Sequence, residues 1–105
     1  TPGGRTSAFV FPVLVKPTAP FTVGDIAAAL NAAAIETRPI ICGNIAKQPA
    51  MQLFDHRVSG SLAHATRVME SGFSIGNHQA VDAEARAYVT GTIAKFMSHQ
   101  GKVKK

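Results

Sequence analysis

Tryptophan is absent from this chain, and tyrosine and cysteine occur once each. A lone Cys42 has no partner for an internal disulfide and no CxxC neighbour. A disulfide framework and a paired-thiol redox centre are therefore excluded, and a reducing, cytoplasmic setting is the expectation. No apolar stretch approaches the roughly 20 residues that a membrane-spanning helix needs, because Pro12, Pro17 and Pro20 interrupt the most hydrophobic run. Acidic residues are few, 6 against 11 Lys and Arg, for a formal charge of +5. The excess is uneven: Lys102, Lys104 and Lys105 lie in the last four positions and the other basic residues are scattered. That distribution fits a solvated terminus better than a nucleic-acid-binding face. His56, His64, His78 and His99 match no zinc-ligand spacing. No glycine-rich phosphate loop follows a strand, no GxSxG elbow occurs, and no lysine sits in an apolar pattern suited to a Schiff base. On its own motifs the chain reads as having no catalytic residue, no cofactor cradle and no metal site. Its start at Thr1, with neither an initiator methionine nor a secretory leader, reads as a chain cut from a longer one.

What is present is enough for one domain: 105 residues, 46% hydrophobic, much of it alanine suited to close helix packing. Residues 1–7 read as a linker, 8–98 as the domain and 99–105 as a basic tail. Residues 8–16 are short, apolar and rich in Val and Phe, as a buried strand would be, with Pro12 placing it at an edge or a bulge. Thr22 followed by Asp25 resembles a capping box, and Ile26, Ala29, Leu30 and Ala33 continue at helical spacing. A second strand is expected over 37–42, then an irregular connection over 45–60 holding one helical turn. Ser61 is a candidate cap for a short helix ending at a left-handed Gly72. A brief strand at 73–75 precedes a last helix capped by Asp82, with Ala85, Tyr88, Val89, Thr92, Phe96 and Met97 on one face. The order describes an α+β domain: a small sheet of about three strands with helices packed on one face.

Two polar segments interrupt this pattern. Side chains alternate along a strand, so Glu36 and Arg38 project to the same side. A carboxylate and a planar guanidinium placed there suit a polyhydroxylated or phosphorylated ligand. A solvated ion pair on a half-exposed strand is the alternative. Asn77, His78 and Gln79 follow the brief strand directly and offer amide and imidazole hydrogen bonds, or simply form a turn.

At these segments the chain resembles the DegT and StrS-like nucleotide-sugar aminotransferases, and most closely the branch that acts as 3-dehydratases of 4-keto-6-deoxyhexoses. The resemblance is carried by FPVLVKPTAPFT, IETRPIICGNIAKQP, His56-Arg57-Val58 with Gly60, and SGFSIGNHQ, in that order over most of the chain. It implies the small C-terminal domain of a fold-type-I enzyme of pyridoxal phosphate or pyridoxamine phosphate. The cofactor, its phosphate cup and the reactive Lys or His would belong to an N-terminal large domain. It further implies a nucleotide-sugar substrate, a homodimer when full length, and no nucleic-acid or membrane partner. By the same resemblance Glu36 and Arg38 are substrate-facing, while Asn44 and His78 lie in loops near the mouth of the site. In such dehydratases the aminated cofactor meets the keto group and the neighbouring hydroxyl leaves as water. The departures are an alanine-rich last helix and Ser74 where a bulky residue is usual. A stand-alone basic binding module, or a dimerisation module, is the competing reading.

Overall fold

The computed structural model describes residues 2–101. Its elements run β1 (Val10–Leu14), α1 (Val23–Ala32), β2 (Thr37–Pro39), two 3-10 turns (Ile45–Lys47 and Pro49–Leu53), α2 (Ala63–Ser71), β3 (Gly72–Gly76) and α3 (Ala83–Gln100). The sheet has three strands in the order β1-β3-β2, both pairings antiparallel. The α+β architecture read from the sequence is the one observed. Pro12 lies opposite Ser74 on edge strand β1, whose register runs without a bulge from Val10↔Gly76 to Leu14↔Gly72. An edge strand tolerates the missing N–H because one of its sides has no ladder to feed.

Helix α1 begins where the sequence indicated. Asp25 N–H donates to Thr22 Oγ1 at 3.2 Å, and Thr22 N–H donates to the Asp25 carboxylate at 2.7 Å. Aspartate closes this capping box as glutamate would. These hydrogen bonds favour the ionised form and hold the Asp25 carboxyl below its usual range. The helix ends in a Schellman motif: Ile35 N–H reaches the Leu30 carbonyl at 2.9 Å, and Ala34 takes the left-handed conformation usually given to glycine. The core lies between α1, α3 and one sheet face. Ile26, Leu30, Ile35 and Phe73 are buried in it, with Val13, Ile75, Val89, Ile93 and Phe96 packed around them. Phe21 and Phe96 meet edge to face at 5.0 Å.

Several expectations are corrected. Strand β2 stops at Pro39 instead of continuing to Cys42, because its partner β3 begins at Gly72, opposite Ile40, where α2 ends; the chain then turns away through positive φ at Cys42 and Gly43. Gly72 is extended and not left-handed (φ −100°, ψ 144°), since it is at once the C-cap of α2, its N–H donating to the Val68 carbonyl, and the first residue of β3. Glycine is needed there for another reason. A Cβ would collide with the Val68 carbonyl oxygen and stand 2.7 Å from Ile40 Cδ1. Ser61 is not the N-cap residue of α2: Leu62, in the left-handed region, holds that position without a side-chain bond, while the Ser61 hydroxyl accepts from the first amide of the helix, Ala63 N–H, at 3.4 Å. The connection after β2 forms two 3-10 turns, not one helical turn. On α3, Ile93 packs on the core, whereas Tyr88 and Met97 remain largely exposed. Lys102, Lys104 and Lys105 lie outside the described residues, and His99 belongs to the last turn of α3.

Candidate functional site

The antiparallel register decides which polar residues meet. Arg38 lies opposite Ser74 and Thr37 opposite Ile75, so Glu36, one residue before the strand, reaches the Gly76 end of β3. Asn77, His78 and Gln79 leave the sheet at that same end. The two segments singled out in the sequence are thus neighbours across one strand. Asn44 is not with them. It follows the other end of β2, toward the start of β3.

Three anchors fix the Glu36–Arg38 stretch. Asn31, near the end of α1, donates from Nδ2 to Thr37 Oγ1 at 2.9 Å and accepts from Thr37 N–H at 3.0 Å. Ser74, buried on the central strand, donates from its hydroxyl to the Arg38 carbonyl at 3.3 Å. Ile35, immediately before, is sunk in the core. With Ile35 and Thr37 held, Glu36 and Arg38 are turned out together, and their side chains form an ion pair at 71% and 75% exposure. An exposed pair of this kind contributes little to stability, about 0–1 kcal/mol. Its charges therefore remain available to a ligand.

Two cavities lie side by side here, sharing Ile75, Gly76, Val81 and Val89 in their walls. The first, about 450 Å³, carries Glu36, Arg38, Ser74 and Tyr88. The second, about 490 Å³, carries Asn77, His78, Gln79 and Arg86 above Phe11 and Ile93. Both are largely apolar with a few convergent polar groups, as ligand sites usually are. The loop between them is fixed at both ends: Asn77 Nδ2 donates to the Ala8 carbonyl at 2.7 Å, and His78 Nδ1 accepts from Ala80 N–H at 3.1 Å. The second bond leaves the neutral imidazole with its proton on Nε2, a donor free for another partner. Tyr88, whose hydroxyl donates to the Ala33 carbonyl at 2.9 Å, braces α3 against the end of α1 at the first cavity's wall.

Asn44 has a different setting. It is buried, its Nδ2 donates to Thr66 Oγ1 at 3.0 Å and its Oδ1 accepts from Ala46 N–H at 3.1 Å. Its amide is spent joining the turn after β2 to α2. Among the described residues no group of three or more His, Cys, Asp or Glu side chains gathers to hold a metal, and no helix is long and apolar enough to cross a membrane. Sequence reasoning missed Asn31 and gave Tyr88 only a place on a helix face; the hydrogen bonds of both to other elements leave no local signal.

Comparison with known proteins gives this geometry a setting. The profile of the DegT/DnrJ/EryC1/StrS aminotransferase family matches residues 2–94. A GDP-4-keto-6-deoxy-D-mannose 3-dehydratase of Yersinia pseudotuberculosis is 34% identical over 77 residues, covering 72% of this chain and 20% of its own length. The lipopolysaccharide biosynthesis protein RfbH of Salmonella typhimurium is 31% identical over 90 residues, 86% of this chain and 21% of that protein. A crystal structure of a ColD variant superposes with a TM-score of 0.79 at 28% identity, over 86% of this chain and 24% of that one. A GDP-4-keto-6-deoxymannose-3-dehydratase structure with a trapped PLP-glutamate geminal diamine superposes at 0.71 and 29%, over 82% and 23%. The chain spans about a fifth of the length of the curated relatives it matches. On a family match that runs over nearly all its residues, with the fold to accompany it, the chain belongs to the DegT/DnrJ/EryC1/StrS aminotransferase family.

Proposed function

We propose that this chain is the C-terminal small domain of a pyridoxal phosphate or pyridoxamine phosphate enzyme acting on a nucleotide-linked 4-keto-6-deoxyhexose. The reaction belongs to deoxysugar or lipopolysaccharide sugar biosynthesis. Of the two family chemistries, transamination and 3-dehydration, the second is favoured by the names of the relatives. The observation that carries the proposal is the superposition of 86% of this chain on about a quarter of a ColD chain.

The residues of the two cavities do not fit the cofactor by themselves. No lysine lines either cavity, and neither cavity is enclosed. The cofactor, with its reactive residue, is therefore assigned to the N-terminal large domain, and no bond-making step is assigned here. The contribution of this domain is positioning. Arg38, released from Glu36 or shared with it, offers a planar fork to phosphate or hydroxyl oxygens. Glu36 accepts from sugar hydroxyls. His78 donates from Nε2 at the rim. Asn44 acts at one remove, by seating the turn that ends β2. A homodimer and a cytoplasmic setting belong to the same reading.

Cofactor binding tests it. The full-length protein is expected to take up pyridoxal phosphate, seen as its absorption band, while the 105-residue chain leaves the cofactor spectrum unchanged. A full-length protein that ignores the cofactor ends the proposal.

A further inference from the structure

The stretch between the Gly43 turn and α2 is built unlike the rest of the molecule. A domain of this size closed around one core has a radius of gyration of about 13 Å; this chain measures 16.5 Å. The stretch is well rooted at its start. Asn44 is buried, Gln48 Nε2 donates to the Cys42 carbonyl at 3.1 Å, and Lys47 pairs with Glu70 at 3.5 Å. Beyond Gln48 the anchoring stops. Among the described residues, the side-chain hydrogen bonding of 49–60 is local, His56 Nδ1 to the Phe54 carbonyl at 2.9 Å. Gly60 faces open space.

Past the half-buried Met51, three of its apolar side chains are exposed. Leu53 is 81% exposed, Phe54 63% and Val58 50%. A single exposed leucine is ordinary, but three large apolar groups within six residues, on a segment without a core of its own, mark a contact surface. Arg57 stands among them with no ion-pair partner among the described residues. We infer that residues 49–58 are a docking arm, and that its occupant is the N-terminal remainder of the same polypeptide. That remainder would take Leu53 and Phe54 into an apolar recess and meet Arg57 with a carboxylate.

Two facts favour this occupant over a second copy. The ColD structure leaves about three-quarters of its length outside the match, so there is a large body for the arm to meet. The arm is also small. A stable interface between separate molecules buries about 800 Å² on each partner, more than ten residues of this kind supply alone. A patch held on the same chain needs far less, since tethering supplies an effective concentration on the order of millimolar. The arm is rooted at the end of the sheet opposite the Glu36 and His78 cavities, so docking there holds the domain from one end and leaves the other facing a ligand.

The inference rests on the reading that this chain is one domain of a longer enzyme, and its test separates the two. In the full-length protein, tryptic cleavage after Arg57 is compared with cleavage after Arg86, which lies within α3. With the arm docked, the Arg57 site is cut no faster than the Arg86 site, at any protein concentration. Leu53→Ser with Phe54→Ser then raises its cleavage at least tenfold while Arg86 cleavage and the absorption band of bound cofactor stay unchanged. Rapid cleavage after Arg57 in the unsubstituted protein overturns the inference. So does slow cleavage indifferent to the substitutions, or protection lost on dilution, which would make a second copy the occupant. Cofactor uptake with an unprotected arm defeats the arm alone; a protected arm without cofactor uptake defeats the enzymatic reading alone.

Discussion

Gly43 and Gly60 both hold positive φ, 59° and 72°, yet their surroundings differ completely. A Cβ built on Gly43 stands 2.5 Å from Met69 Cα and 2.7 Å from Met69 Cβ, where the turn after β2 lies directly on α2. A Cβ on Gly60 meets nothing within 4 Å. Gly60→Ala therefore carries the left-handed penalty alone, about 1–2 kcal/mol. Gly43→Ala carries the same penalty and an overpacking cost of about 1–3 kcal/mol more, because helix backbone cannot step aside as a flexible side chain can. For a domain of this size each kcal/mol lowers Tm by about 4–8 °C. Thermal unfolding followed by circular dichroism should show Gly43→Ala falling further than Gly60→Ala, by about 4 °C or more. Equal falls would refute the close approach of the turn to α2, and with it the account of how the docking arm is rooted.

Other outcomes follow from single interactions. Ala34→Gly should stabilise the chain by about 0.5–1 kcal/mol in urea unfolding, since glycine relieves the left-handed strain at the end of α1 but loses some unfolded-state advantage; an unchanged midpoint would contradict the Schellman geometry. Asn44→Ala should cost about 1–3 kcal/mol by leaving Thr66 and the Ala46 N–H without their buried partner, and Asn44→Asp should recover part of it. The Asp25 carboxyl is held below its ordinary value, so its contribution is complete above about pH 4 and disappears as the pH falls through the folded value. Asp25→Asn should accordingly flatten the acid limb of a stability-versus-pH curve, and an identical limb would count against the capping box.

The legible parts of the fold were those settled within a few residues. Thr22 and Asp82 announce their helices because each cap acts on an amide three positions on. Pro12 announces an edge because proline removes a donor wherever it stands. The length of β2 and the backbone of Gly72 were illegible, because both depend on Ile40 and α2 meeting at the sheet's end. The candidate site divides in the same way. Strand alternation placed Glu36 and Arg38 together, but their adjacency to His78 needed the β2–β3 register. Asn44 looked like a loop residue near a mouth; its partner Thr66 lies 22 residues away, and burial consumes its amide.

The account turns on Arg38 meeting the substrate from the small-domain side. The direct measurement is steady-state kinetics of the full-length enzyme with its nucleotide-linked 4-keto-6-deoxyhexose, comparing the parent with Arg38→Ala. Loss of a charge-assisted hydrogen bond worth about 1.5–3 kcal/mol should raise KM by roughly tenfold or more with kcat little changed. An unchanged KM would contradict it.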